Sequence, residues 1–166
     1  MSRRADALAD RCDRAIKAVI DLLSGAPPDA LHRRCETDGW TASAVAAHVA
    51  LSQDFLIGRV RRIVEDEEFP PFDAAAFHGR NARAAEENAN LSSGQIIALL
   101  RNHGAQAVEY VRGLSDDDLD RGRPIPAMGD NPTTADQFIE RVLIGHTEAH
   151  LQSLRQCVSN PDPVPG

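Results

Sequence analysis

Aromatic residues are scarce in this chain: five Phe, one Tyr and one Trp, 4% of 166 residues. With hydrophobic residues at 42%, the core must be built from Ala, Leu, Ile and Val. That palette forms helices and offers strands few of the aromatic residues they favour. Lysine is scarcer still. Lys17 is the only one, every other basic side chain is arginine, and the net charge is -7. This balance argues against a phosphate-backbone binder, which needs a concentrated basic surface, so no nucleic-acid partner is expected. Arg33 with Arg34, and Arg59 with Arg61 and Arg62, are local basic spots that read as solvated helix ends.

Cysteine is also sparse. Cys12, Cys35 and Cys157 are odd in number and show no paired spacing, which excludes a disulfide framework and leaves isolated buried thiols. Long apolar runs are missing: no segment approaches the ~20 residues that span a bilayer. The first residues, Met1 to Asp6, contain charges where a signal core would be apolar. A cytoplasmic protein without membrane contact is expected, of a size that suits one domain.

What is present is helical periodicity. A first helix is expected from about Arg3 to Leu23, with Ala5, Leu8, Cys12, Ile16, Val19 and Leu23 at helical spacing, ending at Gly25-Ala-Pro-Pro. A second opens at Thr41 as N-cap and carries Val45, His48, Val49, Ser52 and Leu56 on one face. The segment Phe72 to Asn90 is expected to be partly helical, around Ala74 to Glu87. The third clear helix opens on a capping box, Ser92 with Gln95, and has Ile96, Leu99, Leu100, His103, Ala107 and Val111 inward. An acidic turn at Ser115 to Asp118 and a Pro/Gly-rich loop from Arg121 to Pro132 follow, the loop being a candidate site rim. The last helix starts at Thr133 or Thr134, with Gln137 completing a capping box, and runs to about Val158. No strand pattern competes. The expectation is an all-α, antiparallel four-helix bundle in residues 1–158 with a frayed tail at 159–166.

Chemistry enters through histidine. His146 and His150 are one turn apart in the last helix, with Ile139, Val142, Leu143, Leu154 and Cys157 on the same stripe. With six histidines in 166 residues, chance supplies one such pair in about one chain in five, so the direction of the pair carries the weight. Residues four apart lie ~5–6 Å apart at Cβ, close enough to share an ion. His48, on the second helix, is an independent third ligand. Three protein nitrogens leave a coordination position open, the pattern of catalytic zinc sites. The alternative is three core histidines, each bonded to a backbone carbonyl.

At these residues the chain resembles the DinB/YfiT-like metalloenzyme superfamily: a Gly39-Trp40-Thr41 start ahead of His48, and a closing His146-Thr-Glu-Ala-His150 motif. Glu148 stands one place earlier than in some members. The likeness extends over nearly the whole domain, including the Asn81 segment and the Leu114 to Leu119 turn. It implies an antiparallel four-helix bundle holding a divalent ion, zinc or nickel, through His48, His146 and His150. Similar proteins include S-transferases and isomerases that use a low-molecular-weight thiol such as mycothiol or bacillithiol. The isomerases have Glu where this chain has His146, which sets their specific reaction apart.

The expected activity is therefore metal-dependent transfer of a small thiol to a small electrophile. The alternatives are a metal-dependent hydrolase and a non-catalytic, stress-related metal-binding bundle. Glu148 sits roughly 200° around the helix from His146 and faces away; neither Asp54 nor Glu140 stands out as a base, an absence that favours thiolate chemistry. His103 and Tyr110 are expected in the core, His78 and His32 at the surface, and Trp40 as a packing anchor for the second helix. No heptad seam marks a dimer face, and a homodimer is an option left open.

Overall fold

The computed structural model describes residues 2–36 and 39–159; all but the first residue of the expected tail, 159–166, lies outside them. Helix α1 (Arg3–Gly25) begins where the Ser2 hydroxyl accepts the Ala5 N–H and stops as Ala26 turns extended ahead of Pro27. Helix α2 (Ala42–Val64) is capped by Thr41, whose side chain accepts from Ala44. Helix α3 (Ala74–Glu87) is exposed along most of its length and buries Ala85. Helix α4 (Ser93–Arg112) opens on the Ser92–Gln95 capping box. The last helical run is continuous from Ala135 to Ser159 but changes pitch: α6 (Ala135–Phe138), a π-helical segment (Ile139–Ile144), then α7 (Gly145–Ser159).

The four long helical elements form the expected bundle, and the contacts show their order around it. Helix α1 packs on α4 and α7, and α2 packs on the other sides of the same two. Consecutive helices α1 and α2 thus face each other across a diagonal. Arg112 at the end of α4 reaches Asp6 and Asp10 at the start of α1, so those helices run antiparallel. Arg33, just before α2, bonds the Val158 carbonyl near the end of α7, so α2 and α7 also oppose. The other two neighbouring pairs run parallel, α1 with the last helical run and α2 with α4. Arg4 meets Asp136 and Arg11 meets Glu140, while Asp54 meets His103 and Arg61 lies over Tyr110. Parallel neighbours need a connection that carries the chain back along the bundle. Between α2 and α4 that connection contains α3, which lies against α2.

Three local features differ from expectation. The acidic turn is a one-turn helix, α5 (Asp116–Asp120), because Ser115 and Asp118 satisfy each other's backbone as a capping box. A two-residue ribbon, β1 (Gly122–Arg123) with β2 (Thr133–Thr134), pins both ends of the Pro/Gly-rich loop. The interrupting π-helical segment has no composition signature of its own.

The core divides in two. One cluster joins the first half of α1 to the second half of α2 and to the α6 and π-helical stretch; the other joins the second half of α1 to the start of α2 and the end of α7. Cys12 and Cys35 are buried, as expected of isolated thiols, and Cys157 is half-buried. Among the described residues no helix is long and apolar enough to cross a membrane.

Candidate metal centre

Between the two core clusters, α2 and α7 meet through polar side chains. Gln53, 1% exposed, donates to the Val49 carbonyl and to the Thr147 hydroxyl, which itself bonds back to the Leu143 carbonyl. A satisfied buried network of this kind ties α2 to α7 in one register. Thr147 is the neighbour of His146, so the tie also places the histidines.

His48, His146 and His150 come together as the sequence predicts. One ligand atom from each lies within 4.8 Å of the others, a spacing that could hold a metal ion. The His48 and His146 Nε2 atoms are 3.1 Å apart, and the ring centroids are separated by 4.5 to 5.1 Å. At 3.1 Å only one of the two nitrogens can carry a proton. Burial, with His150 and His48 adding like charge, pushes the His146 imidazole down to about 3 from an ordinary 6.5. It is therefore neutral at physiological pH, the state in which a ring nitrogen has a lone pair for an ion. His146 Nδ1 is buried without a hydrogen-bond partner among the described residues. The Ser52 hydroxyl, one turn after His48, sits 3.5 Å from its Nδ1 and 3.4 Å from its Nε2.

The π-helical segment explains how the last helix faces this spot. In an α-helix the row i, i+4, i+8, i+12 drifts about 120° around the axis over its three steps. A π turn takes more residues per turn and removes part of that drift. Phe138, Val142, His146 and His150 form such a row, and all four line one cleft.

That cleft has a volume of about 800 Å³ and opens from the histidines toward α3 and the Pro/Gly-rich loop. Trp40 forms part of its wall and meets the His48 ring edge-on at 5.4 Å, so its role exceeds the packing anchor expected of it. Leu51, Phe55, Phe72 and Met128 are exposed apolar side chains around it. The loop is a rim, as expected, through Pro126, Ala127 and Met128. Ala127 holds a φ of 73°, unusual for a residue with a side chain. Among the described residues no Asp or Glu lines the cleft.

Other sequence candidates lie elsewhere. His103 Nδ1 is 2.8 Å from an Asp54 carboxylate oxygen and outside the cleft. Glu148 is exposed and Glu140 pairs with Arg11. His32 is exposed, and Cys157 Sγ lies 3.6 Å from the Arg33 carbonyl. His78 is exposed as expected, yet stands on the cleft wall. Arg59 corrects its expected place: it is a half-buried cleft residue, because the chain folds back over α2 at Phe69. Gln53 and Arg59 were legible only as members of α2, and of the two only Arg59, eleven residues on, shares the face of His48.

Fold and geometry define a class: a helical bundle with an inward histidine triad at the base of an apolar-walled cleft. The DinB superfamily profile matches residues 11–154, and the chain belongs to that superfamily. Its structure is similar to that of YfiT from Bacillus subtilis, described as a probable metal-dependent hydrolase with an unusual four-helix bundle topology. The TM-score is 0.74 at 16% identity, over 95% of this chain and 87% of that one. No curated protein sequence gives a significant match.

Proposed function

We propose that this protein holds one divalent cation, zinc or nickel, on His48, His146 and His150, and transfers a small thiol to a small electrophile bound in the adjoining cleft. The observation that carries the reading is the donor set: three imidazole ligand atoms within 4.8 Å, one ring kept neutral by burial. Three nitrogen ligands with a position open suit an exchangeable ligand better than a closed structural site. When bound, the cation lowers the pKa of a thiol or a water so that a nucleophile forms near neutral pH.

The chain supplies the rest. Gln53 and Thr147 keep α2 and α7 in register so that the imidazoles converge. Trp40, Phe55, Phe72 and Met128 offer apolar surface to an organic substrate and shed water from it. Among the described residues no carboxylate lines the cleft to take a proton from water, which favours thiol transfer, where activation needs no separate base. Hydrolysis is the second reading, favoured by the likeness to YfiT and its description. The cytoplasm is the proposed location, and a monomer or homodimer the proposed assembly.

The test is metal content by elemental analysis. About one divalent ion per chain is expected in the purified protein, largely lost in His48→Ala and kept in Glu148→Ala. Full retention in His48→Ala overturns the triad. With metal loaded, conjugation of a chlorodinitrobenzene that depends on added thiol supports transfer; cleavage of a nitrophenyl ester without thiol selects hydrolysis.

A further inference from the structure

Arg59 is a half-buried cation in the cleft wall. Its guanidinium carbon lies 5.2 Å from the Phe55 ring centroid and 5.0 Å from that of Phe69, so two aromatic rings flank it. Among the described residues no hydrogen bond or ion pair is found for it, although arginines elsewhere on the surface pair with Asp or Glu. Burial, with Arg62 nearby, holds its pKa below the ordinary value. A cation stacked between rings is fixed in direction while its N–H groups stay available.

Its position is set by α2. Eleven residues separate His48 from Arg59, just over three helical turns, so the two share a face about 16 Å apart along the axis. Side chains on a helix lean toward its N-terminus. Arg59 accordingly lies back over Phe55, toward His48, and both line the same cleft. Arg80 and Asn81 of α3 line it too, and neither side chain is engaged by a hydrogen bond or ion pair among the described residues. In a chain of net charge -7, the described residues lining this cleft include two arginines and no carboxylate. The local field is therefore opposite in sign to that of the whole protein.

We infer that Arg59, assisted by Arg80 and Asn81, is an anion-binding subsite that takes a carboxylate of the substrate and directs its apolar body along Phe55 toward the histidine triad. A planar guanidinium with free N–H groups fits a carboxylate through two parallel hydrogen bonds, and does so more strongly in a partly dry cleft. The substrate class that follows is a small elongated organic acid, charged at the end remote from the reacting atom. The inference deepens the proposed function by naming the substrate class of the same cleft.

Binding of 4-phenylbutyrate and of its neutral amide, 4-phenylbutyramide, tests it by calorimetry. Both probes are titrated into zinc-loaded protein, into chelator-treated protein and into the Arg59→Gln and Arg59→Lys variants, with folding checked by thermal melts. The acid is expected to bind more tightly than the amide in both metal states. Arg59→Gln should weaken the acid roughly tenfold or more and leave the amide unchanged. Arg59→Lys should fall between. Equal binding of acid and amide, or an acid preference that survives Arg59→Gln, overturns the subsite. Preference for the acid that disappears on chelation also overturns it, by assigning the carboxylate to the metal. Failure to retain zinc together with an Arg59-dependent preference leaves the subsite standing and defeats only the metal reading.

Discussion

Across the bundle, two helix pairs end in opposite states. Where α1 meets α4 the backbones close in: a Cβ built on Gly104 would lie 2.9 Å from Ile16 Cδ1. Leu100, Ala107 and Val111 are buried along that seam. Where α2 meets the last helical run, Gln53, Thr147 and three imidazoles take the inward positions. Space opens beside them into the cleft. An apolar seam is free to reach the packing density of an organic crystal. A seam with inward polar groups must satisfy each of them, which fixes the helices by directional bonds and leaves room where no partner exists. Stability and chemistry are thus assigned to different sides of one small bundle, and substitutions on the two sides should report different quantities.

The strongest separation should come from truncation. Leu100 is 0% exposed on the closed side, and Leu100→Ala is expected to lower unfolding stability by about 2–5 kcal/mol. Urea unfolding measures that loss, and metal content should not change. Leu51, 37% exposed at the cleft, should tolerate Ala within about 0.5 kcal/mol. Similar losses at both positions would erase the distinction between the two sides.

A smaller effect is expected from pH, and only on the open side. His146 titrates near 3 in the folded chain and near 6.5 when unfolded. Because the folded value is the lower one, the unfolded chain takes up the proton first as pH falls. The metal-free protein should therefore be fully stable above 6.5 with respect to this group, and lose stability between 6.5 and 3. The slope is up to about 1.4 kcal/mol per pH unit. Melting between pH 7 and about 5 measures it above most of the carboxylate range. His146→Leu should flatten the profile, whereas a slope unchanged in that variant would place the titration elsewhere.

The same division explains which features could be read from the chain. Helix starts at Thr41, Ser92 and Thr134 were legible because capping is local: a side chain and the backbone three residues on decide it. The histidines were legible because His146 and His150 share an α-helical face and His48 interrupts an apolar stripe. The ring order of the helices was not, since it depends on which diagonal the long connections span. Nor was the π-helical segment, whose bonds shift by one residue without any composition that demands it. Arg59 was misread for a related reason. A basic residue near a helix end is usually solvated, and only the return of the chain at Phe69 turns it into a cleft wall.

Glycine offers the finest discrimination between the two sides. Gly58 is an exposed residue of α2, and a Cβ there would meet nothing within 4 Å. Ala at this position should stabilise by up to about 1 kcal/mol, because glycine loses more backbone entropy in a helix than alanine does. Gly104 has the same intrinsic preference but a different neighbour. Its added methyl would press on Ile16 Cδ1 at 2.9 Å and Cγ2 at 3.0 Å. The isoleucine can yield at its tip, yet Ile16 is itself 5% exposed and packed in the core cluster. Gly104→Ala should therefore forfeit the propensity gain, and Gly104→Val, with two further methyls to place, should destabilise by about 1–3 kcal/mol. Thermal melts of the three variants order them as Gly58→Ala, Gly104→Ala, Gly104→Val. A Gly104→Ala protein as stabilised as Gly58→Ala would mean that α1 and α4 have slack between them, and that close approach does not distinguish this seam from the one that opens into the cleft.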